Sequence, residues 1–76
     1  MIKTMEELER AYEDLRPEHS ICNLHSMTLE QLNTLLCYEL WQDGMDWTLV
    51  QKILTGEDRF YTDKNTILDF LEKLGY

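Results

Sequence analysis

Apolar residues in this chain recur at steps of three and four, interrupted at Pro17, Gly44, Gly56 and Gly75. That rhythm predicts helices. Met5, Leu8, Tyr12 and Leu15 form one stripe of a first helix, about residues 5–16. It is expected to end near Pro17, because proline lacks an amide donor and crowds the preceding turn. Thr4 followed by Glu7 has the spacing of a capping box, in which side chains satisfy the unpaired amides of a helix start. Glu6, Glu9, Glu13 and Asp14 lie off the stripe, and Arg10 stands four residues from both Glu6 and Asp14. The outer face of this helix therefore reads as acidic and partly compensated.

Between Pro17 and Met27 the periodicity lapses and turn formers gather, giving a connector with Ile21 and Leu24 turned to the core. Thr28 and Gln31 make a second capping box, and Met27 stands where it can staple onto Leu32. Leu29, Leu32, Leu36 and Leu40, widened by Leu35 and Trp41, mark residues 29–43 as the central and most buried helix. Gly44 supplies its left-handed stop. Asp46 caps a short third helix, about 47–55, with Val50, Ile53 and Leu54 inward and Gly56 as its stop. A polar loop anchored by Phe60 and Tyr61 leads to a fourth helix, about 64–74, capped by Asp63 or Thr62. It turns Ile67, Leu68, Leu71 and Leu74 inward and closes at Gly75. With no repeat and no strand-like alternation, the expected fold is all-α, a compact four-helix single domain.

Composition narrows the function. A chain of 76 residues buries only about 60% of its unfolded surface, which leaves no room for a deep substrate cavity. Fifteen acids against seven Lys and Arg give a net charge of -8. Such a molecule is steered toward basic protein surfaces and away from nucleic acid and anionic membranes. The imbalance sits in the first half, where residues 1–43 carry nine acids and three bases. Cys22 and Cys37 lack the dense spacing of a disulfide framework, and the N-terminus has no apolar leader. No window approaches the ~18 apolar residues of a membrane span. Free thiols in a cytoplasmic protein are the expectation.

The block from Gly44 onward, GMDWTLVQKILTG followed by GEDRFYTDKNTILDFLEKLGY from the same Gly56, resembles the later half of a phage-repressor-like helix-turn-helix domain. Gly44 matches the turn glycine, Met45 the apolar residue after it, Asp46 the cap of the recognition helix, and Val50 and Ile53 its inward positions. The Leu74, Gly75, Tyr76 ending is also similar. The upstream half departs from the pattern: Leu40 stands where the family carries a small residue, and Asp43 precedes the glycine in place of an apolar one. The resemblance implies a dimeric DNA-binding repressor or antitoxin in which Thr48, Gln51 and Lys52 enter the major groove. Lys52 is the sole cation of that helix, and Glu57 and Asp58 follow it, so the phosphate-binding component is weak.

His19, Cys22, His25 and Cys37 are zinc-ligand types at spacings that match no common finger. A Cys22–histidine pair lacks the positioned base and pocket that thiol catalysis needs. The sequence thus predicts no catalytic residue, no metal and no cofactor. What remains is a protein-binding reading. Glu6, Glu9, Glu13 and Asp14 would meet a basic, nucleic-acid-binding surface of a partner, and Trp41, Met45 and Trp47 near the turn would anchor it. In size, charge and helicity the chain is similar to small acidic inhibitors from phages and mobile elements that imitate the charge of DNA.

Overall fold

The computed structural model describes residues 2–19, 24–58 and 63–76, apart from the side chains of residues 16–19. Its helices are α1 (Met5–His19), α2 (Leu29–Gln42), α3 (Trp47–Leu54) and α4 (Lys64–Lys73), and a 3-10 turn at Leu24–Ser26 precedes α2. No strand occurs among the described residues, and the fold is all-α. Phe60, Tyr61, Ile21 and Cys22, to which the sequence reading gave roles, lie outside the described residues.

Helix α2 is the hub, packed against α1, α3 and α4. Leu32, Leu35, Leu36, Cys37 and Leu40 are all buried, a set that covers most of the helix circumference. Each fully buried leucine contributes roughly 1.5–3 kcal/mol relative to exposure. Around them close Leu8 and Tyr12 from α1, Val50 and Ile53 from α3, and Ile67, Leu68 and Leu71 from α4, with Leu24 and Met27 sealing the connector end. Thr34 is buried among these groups and satisfies its hydroxyl by donating to the Glu30 carbonyl at 3.0 Å. The Cα radius of gyration is 11.3 Å, close to the roughly 11 Å of a compact chain this long.

The helix ends follow local chemistry. Thr28 and Gln31 form a complete capping box, with reciprocal bonds of 2.9 and 3.1 Å. At α1, Thr4 accepts from the Glu7 amide, but the Glu7 carboxylate reaches one residue further back, to the Lys3 amide. Asp63 caps α4 by accepting from Asn65 N–H at 3.2 Å. Asp46 occupies the N-cap position of α3 without a side-chain bond; its backbone carbonyl accepts from Leu49 and Val50 instead. Helices α2, α3 and α4 each end one residue before the expected bound, because Asp43, Thr55 and Leu74 are C-cap residues. At Gly44 (φ 102°) and Gly75 (φ 98°) the chain turns left-handed, and paired bonds bring the residue after each glycine back over its helix. Met45 N–H donates to Leu40 O and Tyr76 N–H to Leu71 O.

Helix α1 corrects the expected boundary at residue 16, since it continues through Pro17 to His19. Proline's φ suits a helix, and near the helix end its missing donor removes only one bond. Three inward assignments also change. Met5, Leu29 and Leu74 are 42%, 38% and 49% exposed. Met5 and Leu29 open their helices and Leu74 follows the last turn of α4, where periodic spacing continues but no neighbouring helix remains to cover the side chain.

Candidate functional site

The outer edge of α1 and the adjoining face of α2 carry a connected group of aromatic rings and carboxylates. Tyr12 faces α2, and its ring stacks on Tyr38 at a centroid distance of 3.8 Å and an interplanar angle of 8°. Tyr38 in turn meets Trp41, one turn later on α2, edge to face at 6.3 Å. Such aromatic pairs contribute roughly 0.5–1.5 kcal/mol beyond area burial. Tyr76, brought round by the Gly75 turn, places its hydroxyl 3.1 Å from that of Tyr12 and donates to the Glu39 carboxylate. One network therefore ties α1, α2 and the segment that follows α4.

The electrostatics of this face are one-sided. Burial raises the Tyr38 hydroxyl pKa above its ordinary value, and the nearby Tyr12, Glu9, Glu13 and Glu39 raise it further. Burial is also the leading cause of the upward shift at Tyr76, followed by its hydrogen bonds to Glu39 and Tyr12. Both phenols stay neutral donors at physiological pH. Glu6, Glu9 and Glu13 are exposed and follow i, i+3, i+7 along one edge of α1, whereas Asp14, also exposed, lies off that row. Arg10 forms no ion pair with Glu6 or Asp14 among the described residues, so the expected local compensation is not made by direct contact.

The other sequence-predicted residues divide. Trp41 is half-buried and belongs to the aromatic group, while Met45 and Trp47, beyond the Gly44 turn, are half-buried against the core. No ring contact joins Trp41 to Trp47 among the described residues. On α3, Thr48, Leu49 and Lys52 are exposed. Gln51 is half-buried, and its amide nitrogen donates to the Lys3 carbonyl at 3.5 Å, so the N-terminal segment lies beside the helix that the family resemblance assigns to base reading.

Compared with known protein families, curated proteins and solved structures, the chain matches none.

Of the candidate zinc and thiol residues, Cys22 and the side chain of His19 lie outside the described residues, while Cys37 and His25 have separate surroundings. Cys37 is fully buried in the seam between α2 and α3, where its thiol donates to the Val50 carbonyl at 4.0 Å. Burial pushes its pKa up to about 12, which leaves it protonated and unreactive. His25 pairs with Glu72 of α4 at 3.3 Å. Among the described residues no group of three or more His, Cys, Asp or Glu is arranged to hold a metal. No described helix is long and apolar enough to cross a membrane.

Sequence reasoning missed Tyr38, Glu39 and Tyr76. Tyr38 and Trp41 do carry a signal, two aromatics three residues apart on a helix otherwise ruled by leucine. Tyr76 carries none, because its partners are 64 and 37 residues away in the chain.

Proposed function

We propose that this protein is a small acidic regulator or inhibitor without enzymatic activity of its own, which acts by docking the α1–α2 face on a basic surface of another protein. The carrying observation is the Tyr12–Tyr38 stack with Glu9, Glu13 and Glu39 close enough to act on it. Rings held by stacking lose little freedom on binding, and the surrounding carboxylates steer a cationic partner into contact. A nucleic-acid-binding protein presents such a cationic surface, and occupying it would exclude its nucleic acid. This is the mode of action of the small acidic phage and mobile-element inhibitors that the chain resembles in size and charge.

The test is capture of binding proteins on the immobilised chain, followed by titration of the recovered partner with wild type and with a Glu9→Lys, Glu13→Lys double variant. The reading expects a basic partner whose association weakens with salt and collapses on charge reversal. Binding indifferent to both would overturn it. A gel shift at low salt, lost in a Gln51→Ala, Lys52→Ala variant, would favour the helix-turn-helix alternative.

A further inference from the structure

A second feature lies where the C-terminal ends of α2 and α4 meet. Glu39, Leu40 and Gln42 of α2 and its C-cap Asp43 face Phe70 and Leu74 across an open groove of about 250 Å³. That volume lies below the roughly 300–1,000 Å³ of small-molecule sites; it suits one side chain. Its apolar walls are Leu40, Phe70 and Leu74, with Leu74 49% exposed and Phe70 half-buried. The acidic groups are Glu39 and Asp43, four residues apart and therefore on the same side of α2. Tyr76 holds the Glu39 carboxylate in place. The C-terminal ends of α2 and α4 both border the groove and lend it negative partial charge, and Lys73 is the cation that α4 carries in its last turn.

We infer that this groove receives an arginine side chain of the basic partner. The inference rests on the function proposed above and specifies its chemistry. An arginine has an apolar stem to lie along Leu40 and Leu74, a planar cation that stacks on an aromatic ring such as Phe70, and a fork of donors that matches a carboxylate. Lysine offers the stem without the fork, and a neutral apolar residue would leave Glu39 and Asp43 facing it without a charge partner. Glu39 belongs both to the groove and to the aromatic network, so the groove adjoins the α1–α2 face at that residue.

Isotope-labelled protein titrated with the peptide acetyl-Gly-Arg-Gly-amide, and with its citrulline and norleucine counterparts, tests the inference by amide chemical shifts. Saturable shifts confined to residues 39–44 and 70–76 are expected, with the arginine peptide binding about tenfold more tightly than the citrulline one. Asp43→Asn is expected to weaken the arginine peptide about fivefold, and Leu74→Ser to weaken it while leaving shifts elsewhere unchanged. Equal affinity for arginine and citrulline peptides, or shifts that bypass the groove, overturns it. If the captured partner loses binding to the Glu9→Lys, Glu13→Lys variant but binds Leu74→Ser as tightly as wild type, the groove inference fails while the broader function stands. If arginine-peptide binding in the groove is intact and the partner ignores charge reversal on α1, the broader function fails alone.

Discussion

The α1–α2 face and the outer face of α3 are both solvent-facing helical surfaces, yet they are built differently. On α1–α2, Tyr12, Tyr38, Tyr76 and Glu39 hold one another through a stack and hydrogen bonds that join distant parts of the chain. On α3, Thr48, Leu49 and Lys52 project separately, and Gln51 is taken up by the Lys3 carbonyl. The first surface is fixed before any partner arrives, so little side-chain entropy remains to be lost there on binding. The second would have to be ordered by its ligand, with Lys52 as its one helical cation. A resemblance in the order of residues thus points to α3, while the preorganised chemistry sits between α1 and α2.

The α1–α2 network depends most heavily on Tyr12. Tyr12→Ala removes a buried ring, its stack and its hydroxyl partner, and is expected to cost about 3 kcal/mol. Thermal unfolding should fall by about 15 °C, on the scale of 4–8 °C per kcal/mol for a domain of this size. A loss below about 1 kcal/mol would show that the network is decoration on the core. Tyr76→Phe keeps the ring and deletes the donor to Glu39, and about 1.5 kcal/mol is expected by chemical denaturation.

Alkaline pH separates the α3 seam from the aromatic network. Cys37, in the α3 seam, rises from an ordinary 9.0 to about 12 in the fold. Its contribution is complete below pH 9, where both states hold the proton. Between pH 9 and 12 the unfolded chain releases a proton that the folded one keeps, so stability should fall by about 1.4 kcal/mol per pH unit. Cys37→Ala should remove that slope. The raised Tyr76 and Tyr38 act in the same direction from about pH 10 upward, and Tyr76→Phe should lessen only this later part. Denaturation under reducing conditions at pH 8 to 11 resolves the two onsets; a flat profile would contradict both burial assignments. The smallest effect belongs to Leu49→Ala on α3, which should change stability by no more than about 0.5 kcal/mol, as for other exposed positions. A larger loss would mean that the α3 face is covered.

Legibility followed the range of the interactions. Helix existence, the Thr28–Gln31 cap and the left-handed stops at Gly44 and Gly75 were readable because their partners lie within a few residues. The inward assignments held at Leu8, Leu36 and Ile53 and failed at Met5, Leu29 and Leu74, because periodicity reports a face but not where the neighbouring helix stops. Glu9 and Glu13 were legible as acidic surface. That they act on Tyr38 was not, since that depends on how α1 lies across α2.

By itself, the sequence determined the helical class, the central place of the leucine-rich α2 and the acidic balance, because periodicity, capping and charge are properties of local spacing and composition. Only the tertiary structure decided which side of α2 is chemically organised. It stacked Tyr12 on Tyr38, carried Tyr76 across to Glu39, and closed a groove between the ends of α2 and α4. Each of these joins residues far apart in the chain. Their meeting depends on the packing of whole helices, which no local pattern encodes.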